Sequence, residues 1–239
     1  MYGNASSILL IALGLAACGD AFHSERKVAS AEFSFEQAVA NQRRLVLEAI
    51  NGTIAITGVA GADVVTIEGT REVHAETVDE AEQGLPEVQV DVEEFAEEIV
   101  VRTIQPQDNQ RRNFVVNYEI SLPRNLAVLV TSANGNIDAT NTDGSVSVQL
   151  SNGNVTARAI LPPSGTVDIT IANGNTDLFI PANTSAAFSA AVGNGSIEIS
   201  NLELQNLVRT SKTAMGVLGE GNGAITLQTG NGRITASGF

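Results

Sequence analysis

The sequence is poor in the residue types on which many enzymes, metal sites and disulfide-bonded folds depend. It contains no tryptophan, two histidines and one cysteine, and it carries 13 basic residues against 27 acidic ones. A single cysteine excludes a disulfide within the chain, and structural zinc requires several Cys or His ligands. The net charge of −14 disfavours nucleic acid as a partner, because the phosphate backbone attracts a basic surface. We therefore expect no metal, no cofactor and no nucleic-acid partner.

The acidic residues are concentrated in one segment. Residues 76–98 contain ten acidic side chains and no lysine or arginine. The simplest interpretation is a solvated face that keeps the protein soluble. A binding site for divalent cations is the alternative, but the carboxylates lack the regular ligand spacing of a calcium loop. We favour the solvated face.

An apolar run near the N-terminus predicts export. Residues 8–17, ILLIALGLAA, are too short for a bilayer span, which needs about 20 residues, but they suit the core of a secretion signal. The run ends in Leu15-Ala16-Ala17-Cys18, which resembles the bacterial lipoprotein signal. This resemblance implies cleavage before Cys18 and modification of its thiol with acyl chains such as palmitate.

The resemblance also predicts how the N-terminal region is divided. Residues 1–17 are expected to be the signal peptide, and residues 18–30 a polar tether that begins with the lipid-bearing Cys18. Two acyl chains would hold the protein stably at a membrane surface. Gly19 after the cysteine resembles outer-membrane lipoproteins, so we expect an exported protein of the cell envelope in that membrane.

Residues 31–132 form a β-rich N-terminal part with one interruption. Segments such as RLVLEAI (44–50) and FVVNYEISLP (114–123) show the apolar alternation of strands. TVDEAEQGL (77–85) lacks this alternation, is rich in Glu and Ala, and stops before Pro86. It therefore predicts a short helix.

Residues 133–239 are poor in charge and contain glycine turns at regular intervals. Apolar residues follow each turn two and four positions later, as Val155 and Ala157 follow Gly153. A period of two places both residues on one face of a strand, and glycine supplies the positive φ that a tight turn requires. We therefore predict strands that share one core. The same pattern follows Gly52, Gly135, Gly144, Gly165, Gly195, Gly223 and Gly232, and an imperfect copy follows Gly174.

Two all-β architectures fit this pattern. Asn-Gly between alternating strands favours hairpins, which would form an antiparallel β-sandwich with Val155 opposite Leu150. A β-solenoid instead stacks each turn on the equivalent turn of the next coil. Spacings of 18, 21 and 21 residues suit one coil per repeat, and they separate the Asn-Gly pairs that begin at Asn134, Asn152, Asn173 and Asn194. The pattern alone leaves both architectures open.

Several pieces of the sequence, in order, resemble the bacterial "putative adhesin" family of unknown function. These pieces are the first turn Asn51-Gly52, the short helix with Ala81, the strand VNYEI (116–120), Pro123 after it, and the later Asn-Gly turns. The resemblance implies a β-solenoid, single-stranded and β-helix-like, in which a β-rich N-terminal part with one short helix precedes the repeat. It implies no catalytic or cofactor-binding residues.

No arrangement of residues indicates catalysis. His23 lies in the predicted tether, and His74 lies beside acidic residues without a nucleophile motif. Glycoside hydrolysis needs a carboxylate pair several ångströms apart, and the carboxylates of the repeat are scattered in sequence: Asp138, Asp143, Asp168, Asp177 and Glu198. The Asn side chains of the turns could line a ligand-binding edge, or they could serve only as turn formers or as an internal ladder, and we favour the second interpretation.

We therefore expect a lipid-anchored cell-envelope protein with an adhesin-like, non-catalytic binding role. Its partners would be the membrane, through Cys18, and a protein or glycan at the cell surface. A periplasmic structural or envelope-stress-sensing partner that uses residues 76–98 is the alternative. A carbohydrate-active β-helix enzyme is the third hypothesis.

Overall fold

The computed structural model describes residues 26–107 and 111–239, and these residues form one continuous sheet of seventeen strands with one short α-helix. The elements are β1 (Lys27–Ala38), β2 (Arg44–Glu48), β3 (Ile54–Val59), β4 (Val64–Ala75), α1 (Val78–Gly84), β5 (Gln89–Glu94), β6 (Glu98–Ile104), β7 (Asn113–Pro123), β8 (Ala127–Asn134), β9 (Ile137–Thr142), β10 (Val146–Asn152), β11 (Val155–Ala159), β12 (Thr166–Asn173), β13 (Thr176–Ile180), β14 (Ala186–Ser200), β15 (Leu204–Arg209), β16 (Thr213–Leu218) and β17 (Gly223–Gly238). A 3₁₀ turn, Leu85–Glu87, follows α1.

The strands wind into a β-solenoid with two parallel walls, which confirms the predicted fold. The first wall runs β6, β2, β8, β10, β12, β17, β14, and the second wall runs β7, β3, β9, β11, β13, β17, β14. Strands β14 and β17 are long enough to turn the corner and serve both walls. The antiparallel sandwich is wrong for the repeat, because Val155 pairs in parallel with Ile137 and Thr176 rather than opposite Leu150.

Apolar side chains of the two walls meet in a core that continues from coil to coil. Each wall strand alternates buried and outward-facing residues, as in the BeBeBe pattern of β3. Equivalent positions lie in register, so the buried side chains form columns along the solenoid axis. One column contains Ile99, Leu45, Val128, Val146, Val167, Ile225 and Phe188. Burial of this kind is the main favourable contribution to folding.

The coils do not stack in chain order at either end. The coil formed by β2 and β3 lies between the coil of β6 and β7 and the coil of β8 and β9. At the other end, β17 lies between the coil of β12 and β13 and the coil formed by β14. The Asn-Gly pair at Asn194 therefore does not follow that at Asn173, although the spacing of 21 residues suggested that it would.

Glycine is required at the Asn-Gly corner for two reasons. Gly153 has a φ of +138°, in the region that favours glycine, and a Cβ there would lie 1.7 Å from the carbonyl oxygen of Gly135 in the next coil. The other glycines of this corner share both features: Gly52, Gly135, Gly174, Gly195 and Gly232. The predicted positive φ is thus confirmed for this corner.

The glycines of the opposite corner are different, and the expectation of positive φ was wrong for them. Gly144, Gly165 and Gly223 are not among the positive-φ glycines. A Cβ on Gly144 would nevertheless lie 2.5 Å from the carbonyl oxygen of Leu126. Close backbone approach, rather than backbone conformation, therefore explains glycine at this corner.

The two ends of the solenoid are covered by different elements. Strands β1 and β4 extend the second wall beyond β7, β5 pairs with β6, and α1 packs on β1 and β4. Thr77 caps α1 in a capping box with Glu80. The helix therefore begins at Val78, one residue after the predicted start at Thr77. At the other end, the first wall continues through β14 into β16 and β15, which are antiparallel. Strand β1 begins at Lys27, within the segment assigned to the tether.

Candidate binding surface

The one residue predicted as a modification site, Cys18, lies outside the described residues, as does His23. His74 lies on β4, where its Nε2 is 3.0 Å from the Glu72 carboxylate oxygen Oε2. The neighbouring Asn117 also donates to Glu72, so the pair belongs to a surface hydrogen-bond network on β4 and β7. Among the described residues that bond to His74, none is a nucleophile that it could activate.

Arginines from other parts of the chain pair with four of the ten acidic side chains in the segment 76–98. Arg112 forms a bidentate pair with Glu87 at 2.6 and 2.9 Å, which lowers the pKa of the Glu87 carboxyl mainly through the side-chain hydrogen bond. Arg102 contacts both Glu93 and Glu48, and these hydrogen bonds raise the pKa of its guanidinium. The remaining pairs are Arg44 with Glu98 and Arg111 with Glu76. In the described residues, no group of three or more His, Cys, Asp or Glu side chains could hold a metal ion.

The asparagines of the Asn-Gly corner form a continuous hydrogen-bonded ladder along the solenoid. Each side-chain Nδ2 donates to the Oδ1 of the asparagine in the preceding coil, at 2.7–3.0 Å. Every bond of the ladder points the same way along the solenoid. The ladder contains, in spatial order, Asn51, Asn134, Asn152, Asn173, Asn231 and Asn194. The sequence predicted turn formers or an internal ladder, and the internal placement is wrong, because the hydrogen bonds of the ladder are exposed at the surface of the corner.

A second, shorter ladder lies two residues further along each coil. Asn154 Nδ2 donates to Asn136 Oδ1 at 3.1 Å, and Asn175 Nδ2 donates to Asn154 Oδ1 at 3.0 Å. The same oxygens also accept from the backbone N–H groups of Asn154 and Asn175. The corner therefore presents two parallel rows of exposed amide groups.

A groove of about 780 Å³ runs beside the first ladder and crosses five coils. Its lining includes outward-facing Gln149, Thr170 and Gln228 together with the small residues Ala172 and Gly230. No charged side chain is among its lining residues in the described chain. The lining also includes Leu150, Ile171 and Val192, so the groove and the ladder together form an uncharged surface in which apolar groups lie beside amides and hydroxyls. We call this surface the amide groove.

Carboxylates that are scattered in the sequence form a row on the outer face of the second wall. Glu119, Asp138, Asp177 and Glu198 occupy one position in alternate coils, separated by Ala55, Thr156 and Thr235. Alternate strands are about 9–10 Å apart, since neighbouring strands are separated by about 4.8 Å. Asp168 lies on the other wall, and Asp143 accepts a hydrogen bond from Arg124 at 2.8 Å. Sequence order conceals this row because strands of different coils supply its members.

Helix is scarce in the part of the chain that the structure describes. In residues 26–107 and 111–239, the helix α1 is seven residues long, and no helix is long and apolar enough to cross a membrane.

These features define a β-solenoid whose repeat is held by Asn-Gly corners, and comparison with known proteins agrees with that class. Residues 123–237 match the family described as Toastrack DUF4097. This match lies mostly in the repeat half of the chain, and the resemblance to a "putative adhesin" family of unknown function is confirmed. No curated protein matches the chain in sequence.

One solved structure shows the same fold over a larger part of the chain. A "putative cell adhesion protein" from Clostridium sporogenes is 12% identical with a TM-score of 0.52, and the match covers 90% of this chain and all of that one. A "putative adhesin" from Bacteroides fragilis is 10% identical with a TM-score of 0.25, covering 87% of this chain and 97% of that one. At 12% identity, the similarity to the Clostridium protein shows the fold alone. The similarity to the Bacteroides protein is too low to support a conclusion about this chain.

Proposed function

We propose that this protein is a lipid-anchored component of the cell envelope that binds an extended, uncharged polymer in the amide groove without modifying it. The observation that carries the proposal is the groove of about 780 Å³, with its uncharged lining next to a ladder of six asparagines. The similarity to proteins described as adhesins supports an adhesin-like role. The lipid would be attached at Cys18 and would hold the protein at the outer membrane.

The chemistry of the ladder indicates the ligand class. A carboxamide has two N–H donors and two acceptor lone pairs. Asn152 and Asn173 each use one donor and one acceptor within the ladder, so part of each amide is free to contact a ligand. Hydroxyl groups both donate and accept, and a regular array spaced by about 4.8 Å suits a repeating chain of them. A neutral glycan fits this description.

The same geometry argues against the alternatives. In the acidic segment, Glu76, Glu87, Glu93 and Glu98 already pair with arginines, which leaves a smaller free charge for an envelope-stress partner. A carbohydrate-active enzyme is disfavoured by position, because the row of carboxylates, with Glu68 opposite Glu119 at its end, lies on the outer face of the second wall and not in the groove. The groove itself is lined by no carboxylate among the described residues.

Localisation is tested with protease treatment of intact cells and of a lysed control. We expect the solenoid to be digested on intact cells, and Cys18→Ser to release the protein from the membrane fraction. Protection until lysis would replace the adhesin-like role with a periplasmic structural or sensing role. Unchanged membrane fractionation of the Cys18→Ser variant would contradict the lipid anchor.

Binding is tested by calorimetry with soluble neutral polysaccharides such as dextran, mannan and β-glucan. We expect one of them to bind, and Thr170→Lys to weaken binding at least tenfold, because it places a long charged side chain in the groove. Thr57→Lys is the matched control, since Thr57 is an exposed, outward-facing threonine on the second wall. Equal loss in both variants, or slow cleavage of the polymer, would contradict the proposed role of the groove.

A further inference from the structure

The C-terminal end of the first wall finishes in an apolar edge. Strand β15 has one strand neighbour among the described residues, β16, and its other edge is open. Val208 on β15 and Met215 on β16 lie directly opposite each other and are 65% and 54% exposed. Leu207 beside them is 46% exposed. An open strand edge with exposed apolar side chains is a template for pairing with another strand.

The apolar character continues inward from this edge along the outer face. Val217 on β16 is in register with Ala187 on β14, and Ala187 is in register with Ala224 on β17. The other outward-facing residues of β14, β16 and β17 in the first wall are Ser, Thr, Gln and Ala, and the charged residue of β15 is Arg209. We call the surface formed by Val208, Met215, Val217, Ala187 and Ala224 the C-terminal apolar patch.

The opposite end of the same wall is highly charged. The outward-facing residues of β2, β5 and β6 include Arg44, Glu48, Asp91, Glu93, Glu98 and Arg102. Nine strand spacings of about 4.8 Å separate β5 from β15, which is about 40 Å. This distance is several times the Debye length of about 8 Å at physiological salt, so the acidic end exerts little repulsion at the apolar end.

We propose that a second copy of this chain docks on the C-terminal apolar patch, with the two β15 strands paired antiparallel across a two-fold axis. Charge selects this partner, because two chains that each carry −14 can approach most readily where acidic side chains are fewest. An antiparallel pair of identical strands is self-complementary and forms a closed dimer. It also joins the two first walls into one sheet.

Two exposed charges flank the edge in a way that suits the two-fold arrangement. Glu203 precedes β15, and Lys212 lies in the turn between β15 and β16 at the other end of the strand. Antiparallel pairing brings Glu203 of each copy toward Lys212 of the other, so each dimer contains two opposite-charge pairs. Parallel pairing would instead place like charges together. Arg209 is already engaged, since its Nη2 donates to the carbonyl oxygen of Ile197 at 2.6 Å.

The first test is analytical ultracentrifugation of the full chain carrying Cys18→Ser, so that lipid does not contribute to association. We expect a dimer whose dissociation constant rises at least tenfold in Val208→Lys and in Met215→Lys. Ile104→Lys is the control, because Ile104 is 49% exposed at the end of β6, far from the patch. A monomer at every concentration, or a dimer that Val208→Lys leaves intact, would overturn the proposal.

A charge exchange tests the geometry separately from the apolar contacts. Glu203→Lys and Lys212→Glu should each weaken the dimer severalfold, and the double variant should restore it. Both residues are exposed, so melting curves should remain unchanged. A double variant that dimerises no better than the single variants would rule out the antiparallel two-fold arrangement. None of these outcomes depends on the proposed ligand of the amide groove.

Discussion

The N-terminal half (residues 26–132) and the repeat half (residues 133–239) contribute coils to the same solenoid but are held together differently. The N-terminal half uses unlike partners: arginine–carboxylate pairs, a capped helix, and aromatic contacts such as Phe33 against Tyr118 at 5.6 Å. The repeat half uses like partners, with aliphatic columns inside and asparagine on asparagine at the corner. A contact between unlike side chains fits one particular neighbouring strand, whereas a contact between identical side chains would fit the strand of any coil.

The repeat half should be the more sensitive to added volume at its corners. We expect Gly153→Ala to lower the free energy of unfolding by about 3 kcal/mol or more, because the new Cβ would lie 1.7 Å from a backbone oxygen and the φ of +138° is strained for alanine. Thermal and urea unfolding measure this effect.

Gly61→Ala in the N-terminal half is the matched control for this substitution. Gly61 has a φ of +73°, but a Cβ there would have no atom within 4 Å. The free energy of unfolding of the Gly61→Ala variant should therefore fall by about 1 kcal/mol, from backbone strain alone. Similar losses for the two variants would show that close coil-to-coil approach is not what requires glycine.

The N-terminal half should respond to alkaline pH through Tyr118. Burial raises the pKa of Tyr118 to about 12, an effect that its 2.7 Å hydrogen bond with Thr103 partly offsets. A tyrosine in the unfolded chain ionises near pH 10, so the stabilisation is complete below that pH and is lost as the pH rises toward 12. The difference between the pKa of Tyr118 in the folded and in the unfolded chain corresponds to roughly 3 kcal/mol of unfolding free energy.

Tyr118→Phe removes this titrating group and serves as the comparison. Its free energy of unfolding should be lower by about 1 kcal/mol at neutral pH, because the hydrogen bond to Thr103 is lost. Between pH 10 and 12 its curve should be flatter than that of the wild type. Parallel pH dependences, measured by urea unfolding, would contradict the assignment to Tyr118.

The asparagine ladder should lose stability in proportion to the number of bonds removed. Asn152→Ala removes two side-chain bonds of the ladder and should cost about 1–2 kcal/mol, whereas Asn194→Ala at the end removes one and should cost about half as much. Unfolding in urea measures both variants under one condition. Equal costs would show that the ladder does not act as a chain of independent bonds.

The sequence predicts well which residues form strands and which of their side chains point inward, but it predicts the order of the coils poorly. Alternation identifies inward residues such as Ile137 and Val155, and the resemblance to a known family chooses the solenoid over hairpins. Coil order is different, because every Asn-Gly corner fits every other corner. Nothing local to Asn194 shows that it contacts Asn231 rather than Asn173.

The candidate surface is less predictable than the fold for a related reason. The segment 76–98 reads as uncompensated charge because its partners, such as Arg44 and Arg112, are distant in sequence. The carboxylates of Asp138 and Asp177 are far apart in the sequence, and their common row can be recognised only when the register between coils is known. The groove depends on outward positions in five coils, and no single segment contains a signal for it.

The inserted position of β17 sets the order in which the molecule can be completed. Residues 223–238 occupy the slot between the coil of β12 and β13 and the coil of β14, although β14 emerges earlier during synthesis and export. Until they arrive, β12 and β13 end in an open edge, and β14 lacks its parallel neighbour. A chain truncated before residue 223 therefore cannot resemble a shorter finished solenoid, and proteases that remove incomplete proteins have an exposed edge to recognise.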